Sequence, residues 1–119
     1  MAIKDLTKVK KHLFLCNGEP CTLKGANNSI TAIREAIKNC GLHEQVHTTR
    51  TLCNGRCDDG PIVIVQPDGI WYKQITDDKA EALVKQHIMN GIIVEDNVLF
   101  ENGKNYINSN SKIKHEKFF

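Results

Sequence analysis

The chain has 119 residues, a formal net charge of +2 and five cysteines. One domain is the expectation at this length, with a core large enough to stand without disulfide staples. Hydrophobic residues at 40% and charged residues at 25% are ordinary globular composition, which excludes bulk disorder, a coiled coil and collagen-like repeats. A charge of +2 with interspersed acids and few aromatics gives no argument for nucleic-acid binding.

Residues 1–10 form a basic lead carrying Lys4, Lys8 and Lys10. The apolar run that follows, Leu13 to Cys16, is shorter than a signal-peptide core, and no stretch approaches a membrane span. A cytoplasmic location with reduced thiols is therefore expected, without membrane association. There, cysteine patterns point to metal or catalysis more often than to disulfides, and five is an odd number.

Lys11 to Leu15 predicts a short strand running into Cys16. Asn17-Gly18 and Pro20 predict a turn from Cys16 to Cys21. Ser29 is the expected N-cap of a helix ending near Cys40, with Gly41 as its stop. Ile30, Ile33, Ile37 and Cys40 recur at helical spacing and give that helix one apolar face. Val46 to Leu52 predicts a strand, followed by a loop from Cys53 to Gly60. Pro61 to Val65 is a continuous apolar run, the pattern of a strand covered on both faces. Pro67-Asp68-Gly69 turns the chain into a partner strand, Ile70 to Ile75.

Thr76 or Asp77 caps a second helix through about Asn90, with Ala80, Leu83, Val84, His87 and Ile88 as its core face and Gly91 as its end. Glu81 and Lys85 form an i,i+4 pair. The order β-α-β-β-β-α implies an α/β (α+β) fold with a mixed sheet of four to five strands and two main helices. In residues 92–119, Ile92-Ile93-Val94 and Val98-Leu99-Phe100 are expected to form a short hairpin, followed by a polar, mobile tail.

Four cysteines stand in two pairs, Cys16-x4-Cys21 and Cys53-x3-Cys57, separated by 31 residues. Each pair lies on a Gly-containing loop that leaves a strand. Two such loops at one end of a sheet can present four thiolates to one metal centre, with backbone N–H groups turned toward sulfur. Zinc accepts four thiolates, and so does a [2Fe–2S] cluster, for which the wider gaps are comfortable. The C-x2-C-x2-C run of a [4Fe–4S] site and the C-x-x-C of a thioredoxin-type dithiol are both absent. Zinc and iron–sulfur remain open on spacing.

The stretch from Leu13 to about Gly91 resembles the thioredoxin-like [2Fe–2S] ferredoxins, and also the small [2Fe–2S] subunit domain of respiratory complex I. A Cys ending strand one, Cys53-x3-Cys57 after strand two, Gly60-Pro61-Ile62-Val63-Ile64-Val65 and Pro67-Asp68-Gly69-Ile70-Trp71-Tyr72 carry the likeness. It implies a thioredoxin-like domain over residues 11–91, with Cys16, Cys21, Cys53 and Cys57 ligating the iron of one [2Fe–2S] cluster near the surface. It also implies one-electron transfer without substrate chemistry, redox partner proteins (a reductase and an acceptor enzyme), and often a homodimer. The Cys16-x4-Cys21 gap is shorter than in free-standing ferredoxins and matches the complex I spacing. The alternative function is a non-redox binding or structural module with a four-cysteine zinc site.

Four thiolates and a 2+ inorganic core add −2, so the oxidised holoprotein is formally neutral overall: +2 − 2 = 0. Steering of partners must therefore come from a local patch, for which Asp58 and Asp59 are candidates, or else they are solvated turn residues. Cys40 reads as a core residue, as does His87. His12 and His47 read as strand residues, His43 as a loop residue, and Trp71 and Tyr72 as sheet packing. A trans Gly60–Pro61 bond is expected.

Overall fold

The computed structural model describes residues 3–109, apart from the side chains of Pro20 and Cys57. Five strands form one mixed sheet in the order β2-β1-β3-β4-β5. These are β1 (Lys11–Cys16), β2 (Val46–Thr51), β3 (Val63–Gln66), β4 (Ile70–Tyr72) and β5 (Val98–Glu101). β1 runs parallel to β2 and antiparallel to β3, and β3–β4 and β4–β5 are antiparallel pairs.

Alternation along the strands decides what the sheet buries. Leu13, Leu15, Val63, Val65, Ile70 and Tyr72 face the helices, where Ile30, Ile33, Ile37, Leu83 and Val84 meet them in one core. Ile62, Ile64 and Leu99 belong to a second cluster, with Phe14, Trp71, Phe100 and Ile107 packed against it. The run from Pro61 to Val65 is thus buried throughout, as its continuous apolar pattern predicts.

The first helix starts earlier than expected. The predicted turn after Gly18 is a short helix, α1 (Glu19–Leu23), opened by Gly18 with Pro20 in its first turn. Gly25, at φ 97°, then swings the chain directly into α2 (Ala26–Asn39). Ser29 therefore lies inside α2 rather than capping it, and its buried Oγ donates to the Ile75 carbonyl at 2.6 Å. Gly25 alone provides the left-handed turn, so the helix begins where the backbone permits rather than where a capping side chain stands. Cys40 closes α2, half-buried against the core as expected, and Gly41 follows at φ 71°.

The second helix opens at Thr76 as α3 (Asp77–Ala82) and widens to π-type turns over Leu83–Met89. All five residues of its expected core face are buried, Lys85 donates to Glu81 at 2.6 Å, and Gly91 ends it at φ 73°. His87 is 1% exposed and has partners on both ring nitrogens. Nδ1 lies 2.6 Å from the Tyr72 hydroxyl and Nε2 lies 2.7 Å from Asp68 Oδ2. The Val94 N–H donates to the Tyr72 oxygen at 3.1 Å, which directs the Tyr72 O–H to Nδ1 and leaves the Nε2 proton for Asp68. Lys11 completes the chain with an ion pair to Asp68 at 2.5 Å. Every polar atom in this buried group is paired, which is what makes a histidine admissible in the core.

The hairpin expected within residues 92–100 does not form. Val98–Glu101 instead joins β4, with Phe100 opposite Trp71. Glu95–Asn97 makes a 3-10 turn, and Asn97 clips it to the end of β4: the Lys73 N–H donates to the Asn97 carbonyl at 2.8 Å, and Asn97 Nδ2 donates to the Lys73 carbonyl at 3.1 Å. The chain after β5 is tied down as far as Ser109, contrary to the expected free tail. The Asn108 N–H donates to the Leu99 carbonyl at 2.8 Å, and Lys73 Nζ donates to the Asn108 carbonyl at 2.7 Å. Residues 110–119 of the expected tail lie outside the described part. Gly60–Pro61 is cis, against the trans expectation, and so is Gln66–Pro67. Among the described residues no helix is long and apolar enough to cross a membrane.

Candidate metal centre

The parallel pairing of β1 and β2 sets Cys16 opposite Thr51, so both cysteine loops leave the same end of the sheet. The Cys16 N–H donates to the Ile62 carbonyl at 3.1 Å, and the Asn17 N–H donates to the Thr51 carbonyl at 2.8 Å. These bonds tie the first loop to both neighbouring chains. α1 then turns Cys21 inward, where it is 2% exposed, beside the buried Cys16. Cys53 stands exposed at the start of the second loop, and Cys57 opens a 3-10 turn over Cys57–Asp59. The Cys57 side chain is outside the described part.

Two glycines set how closely the loops approach. A Cβ on Gly18 would fall 2.8 Å from the Cys53 Cα and 2.9 Å from its N and Cβ. A Cβ on Gly60 would fall 2.7 Å from the Cys21 sulfur. Any other residue at Gly18 would push the two cysteine loops apart, and at Gly60 it would displace the Cys21 sulfur. The backbone of Gly60 in the second loop and Cys21 in the first thus share one small volume.

Backbone and side-chain donors converge on the sulfurs. The Gly55 N–H donates to Cys53 Sγ at 3.3 Å. Burial pushes the Cys16 thiol up, but the Gly18 N–H, the Asn54 side chain, Cys21 and the Asn54 N–H together hold it below the usual thiol value. Cys21 shifts the other way overall, pushed up to about 12 by burial, reinforced by Cys16 and by the charge of Cys53 and opposed by the Ile62 N–H. Donors aimed at sulfur favour thiolate, and a cluster of thiols in which ionising one hinders the next is relieved by a cation. The donor set therefore suits a positively charged metal group bound by thiolate. Among the described residues, no three Cys, His, Asp or Glu side chains are already gathered at metal-binding distance. What is preassembled is the Cys16–Cys21 pair and its donors.

Asn54 fixes the second loop from within, donating to Thr51 Oγ1 at 2.8 Å and to the Leu52 carbonyl at 3.2 Å. Asp59 is fully buried rather than a solvated turn residue, and it does not form part of an exposed acidic patch. Arg56 donates to it at 2.8 and 3.2 Å, and Ser109 Oγ reaches both of its oxygens at 2.8 and 2.9 Å. Asp58 is exposed. The described histidines are placed elsewhere: His12 and His47 pack at 4.7 Å between ring centres in β1 and β2, His43 is in the loop before β2, and His87 is in the core. Gly18, Gly60, Asn54 and Asp59 are the residues whose roles the sequence pattern did not resolve. Their one sequence signal is position, each standing within three residues of a paired cysteine.

The model of the thioredoxin-like [2Fe–2S] ferredoxin family matches residues 3–87. The chain belongs to this family. A protein of Priestia megaterium described as a 2Fe–2S ferredoxin is 42% identical over 97 residues, 82% of this chain and 76% of the relative. A 2Fe–2S ferredoxin of Clostridium pasteurianum is 35% identical over 94 residues, 72% of this chain and 92% of the relative. The solved thioredoxin-like [2Fe–2S] ferredoxin of Aquifex aeolicus superposes with a TM-score of 0.73 at 28% identity, over 81% of this chain and 96% of that one. The likeness to respiratory complex I also holds: an NADH-quinone oxidoreductase subunit of Rickettsia prowazekii is 24% identical over 83 residues, 66% of this chain and 46% of that protein. The family cofactor is a [2Fe–2S] cluster, and the protein is an iron–sulfur electron carrier.

Proposed function

We propose that Cys16, Cys21, Cys53 and Cys57 hold the [2Fe–2S] cluster, and that the protein carries single electrons from a reductase to an acceptor enzyme. The observation that carries the ligand assignment is the double close approach at Gly18 and Gly60, which presses one cysteine loop against the backbone of the other. When bound, the cluster supplies one-electron redox chemistry.

The chain's own residues do the rest. Cys16 and Cys21, both buried, form the inner side of the site, and the N–H groups of Gly18, Asn54 and Ile62 favour their thiolate forms. Cys53 is exposed, which gives a partner protein its shortest approach. Asp59, buried behind the second loop, holds Arg56 and so fixes the turn that begins at Cys57.

Single Cys→Ser variants of the four cysteines, purified without air, test the assignment. Each is expected to lose or weaken the visible cluster absorption and to fall below two irons and two sulfides per chain. Cys40→Ser is expected to keep the full complement at some cost in packing. A bleached Cys40→Ser beside an unaffected paired variant overturns the assignment. One zinc per chain and no sulfide in the wild type overturns the redox function.

A further inference from the structure

The face beside β2 carries a charge pattern that the cluster site does not use. β2 is the outer strand of the sheet, and among the described residues its far edge pairs with no other strand. A groove of about 410 Å³ lies between this strand and α2, with Lys4, Arg34 and Lys38 on its walls and Ile37 and Val46 on its floor. No carboxylate lines it. The acids of the adjoining depression are engaged elsewhere: Asp5 accepts from Thr7 at 2.6 Å, and Glu44 pairs with Lys8 at 3.7 Å.

The cations form a row. Lys4 Nζ donates to the His43 and Val46 carbonyls at 2.6 and 3.0 Å, which anchors it at the start of β2. Lys38 and Arg34 are one helical turn apart on α2. Arg34 Nε donates to Thr48 Oγ1 at 3.1 Å, midway along the strand. Arg50 follows two residues on, on the same face as Thr48, and Arg34 feels its charge. The row ends at Leu52, an apolar side chain 84% exposed and adjacent to Cys53. A line of like charges leading to one exposed leucine is the composition of a partner-binding surface: a charged rim that steers, beside an apolar contact that anchors.

We propose that the β2–α2 face, from Lys4 through Lys38, Arg34 and Arg50 to Leu52, is the docking surface for an acidic protein that exchanges electrons at Cys53. The electron-exchange part rests on the ligand assignment above, whereas the charge complementarity does not. A second copy of this chain is a poor occupant, because a two-fold pairing of β2 edges sets Arg34, Lys38 and Arg50 against their own counterparts. Single-stranded nucleic acid is disfavoured by the groove itself, whose lining offers no Phe, Tyr or Trp for base stacking. The sign of this surface is opposite to the acidic patch expected at Asp58 and Asp59, one member of which is buried.

The test uses wild-type holoprotein and the Arg34→Glu/Arg50→Glu double variant. The probe is a fluorescein-labelled decaglutamate peptide, read by fluorescence anisotropy at about 20 and about 300 mM salt, with a labelled DNA duplex and decalysine alongside. Wild type is expected to bind decaglutamate at low salt, with the double variant weaker by roughly tenfold and the difference shrinking at high salt. The conservative pair Arg34→Lys/Arg50→Lys is expected to restore binding, which separates charge from damage to the fold.

Failure to bind decaglutamate, or equal binding by wild type and double variant, overturns the proposal. Tighter, equally charge-dependent binding of the duplex overturns it in favour of nucleic acid. Self-association through the same arginines, seen by sedimentation, overturns it in favour of a second copy. The visible absorption of the same samples reports whether the cluster is present, so a change in binding is separated from cluster loss, and the Cys→Ser series tests the ligand assignment without touching the binding result.

Discussion

Gly60→Ala isolates the contact that brings the two cysteine loops together. The added Cβ would sit 2.7 Å from Cys21 Sγ, while Cys21 Cα and Cβ are at an ordinary 3.5 Å. Carbon and sulfur need about 3.5 Å or more, so only the sulfur must move, by nearly 1 Å. It can do so only by rotating about its own Cα–Cβ bond, away from the position that Cys16 and the Ile62 N–H share with it. Overpacking of this kind costs about 1–3 kcal/mol. At about 1.4 kcal/mol per tenfold, the ligand geometry becomes roughly 5- to 150-fold less populated. Gly60 lies outside the left-handed region, so alanine adds no backbone strain there. Gly103→Ala provides the converse, with open space around it but φ at +89°, and is expected to lower stability while keeping the cluster. The assay is iron and sulfide per chain with the visible spectrum after anaerobic reconstitution, beside far-ultraviolet circular dichroism. A Gly60→Ala protein with a full cluster and the wild-type spectrum refutes the reasoning.

Asp59→Ala removes the buried carboxylate that the half-buried Arg56 donates to, and is expected to cost about 1–3 kcal/mol. It also removes the carboxylate that accepts from Ser109 Oγ, so hydrogen exchange at the Asn108 N–H is expected to speed up, and unchanged protection there contradicts the latch between the last described segment and the second cysteine loop. Ser29→Ala removes the hydroxyl that donates to the buried Ile75 carbonyl and is expected to lower stability by about 1 kcal/mol, read as a fall in Tm. Burial raises the Tyr72 hydroxyl to about 12, against the opposing Val94 N–H. A folded pKa above the unfolded 10 means that this contribution to stability is complete below pH 10 and is lost as pH rises from 10 through 12. Ultraviolet titration is expected to show a tyrosinate step near pH 12 that Tyr72→Phe abolishes, and a Tyr72 step near pH 10 refutes it.

Local pattern determined the elements that local physics decides. Short apolar runs marked the strands that carry Leu13, Leu15, Val63 and Val65, helical spacing placed Ile30, Ile33 and Ile37, and the spacing of the cysteines marked both loops before any fold was known. These signals suffice because a strand face or helix stripe needs only its own residues to declare itself. Tertiary structure decided what depends on contacts distant in sequence. Ser29 reads as a cap until Ile75, 46 residues on, accepts its hydroxyl. Asp59 reads as a wet turn residue until Ser109, 50 residues away, closes over it. Val98–Glu101 reads as half of a local hairpin until Asn97 clips it to Lys73 and the open edge of β4 takes it up. Gly18 and Gly60 read as turn residues, yet the space each keeps empty belongs to the opposite cysteine loop. A missing side chain leaves no pattern in a sequence, and only the packed backbone shows why it must be missing.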